Sequence, residues 1–294
     1  MMDQAEGLRK MIQQTESRPA ARVITVTSGK GGVGKSSISI NLAIQLSRLG
    51  KRVVVFDADF GLANIEVMLG IRPQFNMADL MFRGKELKDI VTPGPENISF
   101  ISGGSGIQEL ARMNRDQVMY LTRKLAELDA YADVIIIDTG AGISDNVLEF
   151  VVSSSEVLLI ATPEPTSITD AYALLKALNR KKEFSKTNTT IKMISNRVRS
   201  KEEGEHLYEK MSIVVQKFLN IPLEYLGAVP LDEQIAKAVM RQKPISVTHP
   251  DAPSAKAIKE ITEKLMKIEK EQEKRGISQF FSNLIRSKMS KANK

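Results

Sequence analysis

A doubly wound α/β fold, a mostly parallel sheet with helices on both faces, is predicted by three features of the 294-residue sequence. Short β-branched runs recur along the chain, and several are apolar at every residue rather than at alternate ones, as strands covered on both faces are. Helical periodicity fills the intervals between them. A glycine-rich turn joins the first such run to the first helical stretch, at the strand end where folds of this kind hold their ligands.

The elements follow in order. Residues 3–14 (DQAEGLRKMIQQ) read as a short N-terminal helix, and the polar stretch TESRPAA separates it from the first strand, 22–27 (RVITVT). Further strands are expected at 52–57 (RVVVFD), 98–102 (ISFIS), 133–138 (DVIIID), 156–161 (EVLLIA), 190–195 (TIKMIS) and 224–228 (EYLGA). Helical spacing fits 35–49, 114–128, 167–181, 203–218 and 254–274. The last of these is highly charged and stops at EKRG, after which ISQFFSNLIRSKM begins a separate tail. The chain thus divides into an N-terminal segment and linker (1–21), one core domain (22–275) and a C-terminal amphipathic tail (276–294).

Composition narrows the function classes. The absence of cysteine excludes disulfides, zinc–thiolate sites and iron–sulfur clusters held by this chain. Apolar runs such as VLLIA at 157–161 fall far short of the roughly 18 residues that span a bilayer, and the first thirty residues lack the apolar core of a signal peptide. A cytoplasmic protein is expected. The formal net charge of +7 favours an acidic partner, and the charge is partly concentrated in the tail, where Arg286, Lys288, Lys291 and Lys294 stand with no acid among them.

The chemistry begins at SGKGGVGKSS, residues 28–37. VITVT precedes this stretch and SSISINLAIQLSRLG follows it, so a strand feeds a glycine-rich turn into a helix. Backbone N–H groups of Gly29, Lys30, Gly31, Gly32, Val33, Gly34, Lys35, Ser36 and Ser37 can then converge on phosphate oxygens, and the helix dipole adds to their field. Lys35 is placed to bridge the β- and γ-phosphates and the Ser36 hydroxyl to bind Mg²⁺. VIIIDTGAG supplies Asp138 near the metal and Gly140 near the γ-phosphate. VVVFDADFG supplies Asp57 and Asp59, either to hold Mg²⁺ through water and orient the attacking water or merely to cap the next helix. Lys30 is a second lysine that the ordinary loop does not require. On the outer bend its stem points away from its own nucleotide, toward charge across an interface.

KGGVGK is the deviant form of the phosphate loop, and through residues 22–250 the chain resembles the MinD/ParA class of P-loop ATPases. The resemblance implies slow, dimer-dependent ATP hydrolysis with ATP and Mg²⁺ as ligands. It implies a homodimer in which Lys30 reaches the partner's nucleotide, with Lys30, Lys35 and Asp59 catalytic and Ser36, Asp57 and Asp138 around the metal. ISNRV and AVPLDEQI would bring Asn196, Arg197, Pro230 and Asp232 to the adenine.

The two ends suggest the branch. In the tail, Ile277, Phe280, Phe281, Leu284, Ile285 and Met289 form one helical stripe, flanked by Arg286 and Lys288 and separated by serines. This is the composition of a helix that lies in an anionic membrane surface; the alternative is a helix docked on the core, which could itself be one state of a cycle. DQAEGLR resembles the N-terminal motif of the FlhG family (YlxH, FleN) of flagellar number regulators. In that family it activates an FlhF-type GTPase, which would here engage Asp3, Gln4, Ala5, Leu8 and Arg9. By this resemblance the protein regulates flagellar number and placement, with flagellar basal-body (C-ring) proteins as further partners, and in its ATP state lies on the inner face of the cell membrane. Nucleic acid is not an expected partner. A ParA-like partitioning ATPase stays open, with Arg180, Lys181, Lys182 and Lys186 as its basic patch, as does a division-site regulator. A small-molecule ligase or kinase would need a second constellation, and His206 and His249 supply none.

Overall fold

The computed structural model describes residues 20–59, 64–104, 115–267, 276–277, 279–281 and 283–284. Eight strands form one sheet: β1 (Arg22–Ser28), β2 (Val53–Ala58), β3 (Thr92–Pro93), β4 (Ile98–Ser102), β5 (Val134–Ala141), β6 (Glu156–Ala161), β7 (Thr190–Val198) and β8 (Leu223–Pro230). Their order is β3-β4-β2-β5-β1-β6-β7-β8, parallel throughout except for the β3–β4 pair. The seven strands expected from sequence are all present. The eighth, β3, is two residues long, too short to show a period, and Pro93 suits it to an edge.

Helices cover both faces. They are α1 (Lys35–Arg48), α2 (Asn64–Leu69), α3 (Met77–Phe82), α4 (Leu87–Ile90), α5 (Arg115–Ala126), α6 (Leu128–Tyr131), α7 (Asp145–Ser153), α8 (Pro165–Asn179), α9 (Lys201–Leu219), α10 (Glu233–Met240), α11 (Ile245–Thr248) and α12 (Pro253–Lys267). The five expected core helices correspond to α1, α5, α8, α9 and α12. The short ones were not expected, because fewer than about two turns carry no readable period. In α7 the run VLEFVV is as β-branched as a strand.

Local chemistry fixes the boundaries of the long helices. Gly34 at φ 97° starts α1 and Pro165 starts α8. The Ser200 hydroxyl accepts from the Glu203 N–H to cap α9, and Asn220, left-handed at φ 51°, ends it. Beneath the sheet, Arg22 grips Glu156 through two N–H donors at 2.7 and 2.8 Å, and Lys192 donates to the same carboxylate at 2.6 Å. Arg22 also reaches the Leu265 carbonyl and so ties the end of α12 to β1.

The tail does not stand apart in this state. Residues 277, 279–281 and 283–284 are helical and lie over one sheet face. Ile277, Phe280, Phe281 and Leu284 are 0%, 3%, 1% and 0% exposed, in one cluster with Val23, Phe56, Leu121 and Phe150. The stripe seen in sequence is thus turned onto the core. Ile285 and Met289, and the N-terminal residues Asp3, Gln4, Ala5, Leu8 and Arg9, lie outside the described residues.

Candidate active site

The glycine-rich turn leaves β1 beside β5 and β6, where successive strands begin to be laid down on opposite sides. Such a reversal opens a crevice at the carboxyl ends of a parallel sheet. Two glycines are required by what surrounds them. A Cβ on Gly29 would lie 2.1 Å from the Asp170 backbone at the start of α8, and one on Gly34 would lie 2.5 Å from Asn196 Nδ2 on a left-handed backbone. The turn is therefore clamped from two sides. Ser28 adds a bond from its hydroxyl to the Lys30 carbonyl at 2.7 Å, and Gly142 donates to the Ser28 carbonyl at 3.0 Å. Gly31 and Gly32 at the tip are exposed.

Lys35, 7% exposed, lies behind the turn. Burial pulls its ammonium pKa down, while the fields of Asp138 and Asp59 push it back up. Asp138, fully buried in β5, accepts from Ser39 at 2.8 Å. Burial raises its pKa to about 6, against the pull of the Ser36 and Ser39 hydroxyls and of Lys35. Its second oxygen, Oδ2, has no group at hydrogen-bonding geometry among the described residues. A buried carboxylate oxygen left open beside the Ser36 hydroxyl is the donor set of a hard divalent cation, so the residues present fit Mg²⁺.

Asp57 stands beside Asp138 in the paired register of β2 and β5. Burial first, and then Asp138, push its carboxyl up to about 8. Its oxygens accept from the N–H groups of Asp59 (3.1 Å) and Ile65 (3.2 Å), so in this state it does support the start of α2. Asp59 accepts from Asn64 Nδ2 at 2.9 Å and faces Gly140, whose added Cβ would be 3.4 Å from Asp59 Oδ1. The Asp59 and Gly140 segments therefore lie against each other.

Lys30 is held by its own chain. Its Nζ donates to Glu164 Oε2 and Thr166 Oγ1, each at 2.7 Å, on the loop that opens α8. The ion pair is open to solvent, with side chains 34% and 53% exposed. Lys30 can serve a second subunit only by leaving Glu164 or by bringing it along.

The four residues proposed for adenine divide. Asn196 donates to the Val33 carbonyl at 2.6 Å and accepts from the Arg197 N–H, so its amide supports the phosphate loop. Asp232 caps α10 through Gln234 and binds Ser254 at the head of α12. Pro230 and Arg197, the latter exposed and left-handed at φ 58°, end β8 and β7 beside this support. Sequence reasoning missed Ser39, Asn64, Glu164 and Thr166. Ser39 alone had a signal, one helical turn after Ser36. Cavities of about 410 and 470 Å³ lie away from the phosphate turn, beside the tail helix and between α1 and α12.

Comparison with known proteins agrees with this geometry. Residues 20–266 match the ParA family, described as NUBPL iron-transfer P-loop NTPase. The chain is 39% identical over 254 residues to the antiactivator FleN of Pseudomonas aeruginosa, covering 86% of this chain and 89% of that one. It is 31% identical to the flagellum site-determining protein YlxH of Helicobacter pylori, covering 92% of each chain. It is also similar to a solved MinD from Pyrococcus horikoshii complexed with Mg-ADP, with a TM-score of 0.64, 24% identity and coverage of 84% of this chain and 97% of that one. The chain belongs to the MinD/ParA family of P-loop ATPases and, within it, to the relatives of FleN and YlxH.

Proposed function

We propose that this ATPase is a two-state switch that regulates flagellar number and placement, with its tail as the moving part. The observation that carries the reading is the seat of that tail. Phe281 packs edge-on against Phe56, with centroids 6.0 Å apart, and Phe280 lies 5.9 Å from Phe150. Phe56 is the residue before Asp57, and Phe150 belongs to α7, which follows the Gly140 segment. Any shift of those two segments on nucleotide exchange moves the floor on which the tail rests.

The energetics suit a switch. Burying four side chains at about 1.5–3 kcal/mol each is offset to the same order by fixing about eight residues at roughly 1–2 kcal/mol each. Docking of this kind is reversible by a modest push. Released into an anionic membrane surface, one tail binds weakly and the two tails of a dimer bind by avidity. The protein then resides in the cytoplasm and on the inner face of the membrane.

Within the site, Lys35 binds phosphate charge and Asp59, freed from Asn64, orients water. Ser36, Asp138 and Asp57 would hold Mg²⁺, which neutralises phosphate charge when bound. Arg197 and Pro230 border the adenine, while Asn196 and Asp232 act there by shaping the loop. The N-terminal segment engages an FlhF-type GTPase. A basal-body protein would find exposed apolar side chains on α9, where Ile213 and Phe218 are 66% and 64% exposed on the same helix as Lys210 and Lys217. Phe218→Ser should weaken capture of purified C-ring proteins without altering ATP turnover; unchanged capture removes this face.

Liposome flotation tests the switch. With ATP the protein should float with anionic vesicles, with ADP it should not, and Phe280→Asp with Phe281→Asp should abolish flotation. Binding to duplex DNA with a steep salt dependence, and none to vesicles, would instead favour a partitioning ATPase.

A further inference from the structure

The two ends of the described chain meet on one side chain. Asp129 of α6 accepts from the Ala21 N–H at 3.1 Å, where the N-terminal segment enters β1. The same oxygen, Oδ1, accepts from the Ile277 N–H at 3.4 Å, where the tail helix begins. The strands of chain on either side are in contact as well. A Cβ on Gly276 would stand 2.8 Å from the Ala20 Cβ and 2.9 Å from Asp129 Oδ2. Only glycine lets the tail close against the N-terminal entry at this point. Ala21 and Ile277 are both fully buried, in the same apolar cluster. Burial pushes the Asp129 carboxyl up and the two amides hold it down, so each amide stabilises the carboxylate that the other uses.

We propose that Asp129 is a shared pin that couples tail docking to the hold on the N-terminal entry, so that release of either end loosens the other. The physical basis is a common acceptor in a common cover. When the tail leaves, Asp129 loses one donor, and the cover over Ala21 is removed. Water then competes for the Ala21–Asp129 bond, and the chain entering β1 frays. The reverse follows by linkage: anything that pulls Ala20 and Ala21 away from the seam removes their contacts with Gly276 and Asp129 and weakens tail docking by the same factor. A partner captured by the N-terminal segment and a surface captured by the tail would therefore recruit each other. The coupling rests on the docked seam and holds whatever the tail binds after release, so it stands or falls separately from the membrane reading.

Hydrogen exchange followed by mass spectrometry on the full chain without nucleotide tests this. Phe280→Asp with Phe281→Asp expels the tail and leaves Asp129 intact. In that variant amides at residues 20–22 should exchange at least about tenfold faster, while those of β6 and β7 keep the wild-type rate. Asp129→Ala should speed exchange at both residues 20–22 and residues 277–284. Asp129→Asn, which retains an acceptor at the same place, should restore most of the protection at both ends. Gly276→Val keeps the Asp129 side chain but wedges it and Ala20 away from the tail, and should open both ends together. An entry that stays protected when the tail is out overturns the proposal. So does an Asp129→Ala protein in which only one end is freed. Faster exchange throughout β6 and β7 would mark a variant as globally destabilised, and the Gly276→Val and Asp129→Asn proteins then decide.

Discussion

Asp57 shows how much of the site is set by a single buried charge. It ordinarily titrates near 3.8, and here burial and the neighbouring Asp138 lift it to about 8. The folded chain therefore binds a proton that the unfolded chain releases, and stability falls as pH rises from about 4 to about 8, then levels off. The amide in Asp57→Asn mimics the protonated acid and removes this penalty. The nucleotide-free variant should melt on the order of 5 °C higher than the wild type at pH 8, with the advantage vanishing near pH 4. Scanning calorimetry across this range checks the sign. A gain independent of pH would show that the carboxyl is not the source. Position 57 was legible as a strand-end aspartate, but its protonation was not, because that depends first on how deeply the fold buries it and then on Asp138 lying across the β2–β5 pair.

At the scale of elements, the phosphate turn and the tail differ in how far sequence could reach. The turn is local: strand, glycines, lysine and helix are contiguous, so residues 28–37 announced their own geometry. The tail helix announced an apolar stripe but not what the stripe faces, since a membrane and the groove of the core offer the same chemistry to Phe280 and Phe281. The N-terminal segment is a third case. The helix of about twelve residues expected there from sequence would be marginal alone, and we propose that such a segment orders on a partner. A peptide of residues 1–20 should accelerate GTP hydrolysis by an FlhF-type GTPase, with Gln4→Ala reducing the acceleration more than the binding and Leu8→Ala reducing the binding. Phosphate release is the measurement, and a peptide that neither binds nor stimulates leaves the ATPase core without this partner.

At the scale of the whole molecule, the tether of Lys30 to Glu164 and Thr166 bears on the proposed homodimer. In analytical sedimentation an Asp59→Ala protein, slowed in turnover, should be a dimer with ATP and a monomer with ADP. Adding Lys30→Ala should abolish the dimer and leave ADP binding within about twofold, because Lys30 leans on Glu164 and Thr166 rather than on its own phosphate turn. Lys35→Ala should instead lose nucleotide binding altogether. A monomer with both nucleotides removes the sandwich.

The sequence by itself determined the layering and the phosphate turn. Both rest on short-range facts: apolar runs that must be covered on two faces, and glycines whose backbone freedom is needed where they stand. Only the tertiary structure decided which side chains meet. Asn64 holds Asp59 at a separation of five in sequence, but Glu164 reaches Lys30 across 134, Asn196 reaches Val33 across 163, and Asp129 gathers Ala21 and Ile277 across 108 and 148. Contacts at such separations leave no period in the chain, because they are fixed by the order of strands in the sheet and the register between them. That order brings the Asp59 and Gly140 segments against each other at one end of the sheet, and Ala21 and Ile277 onto one carboxylate near the other.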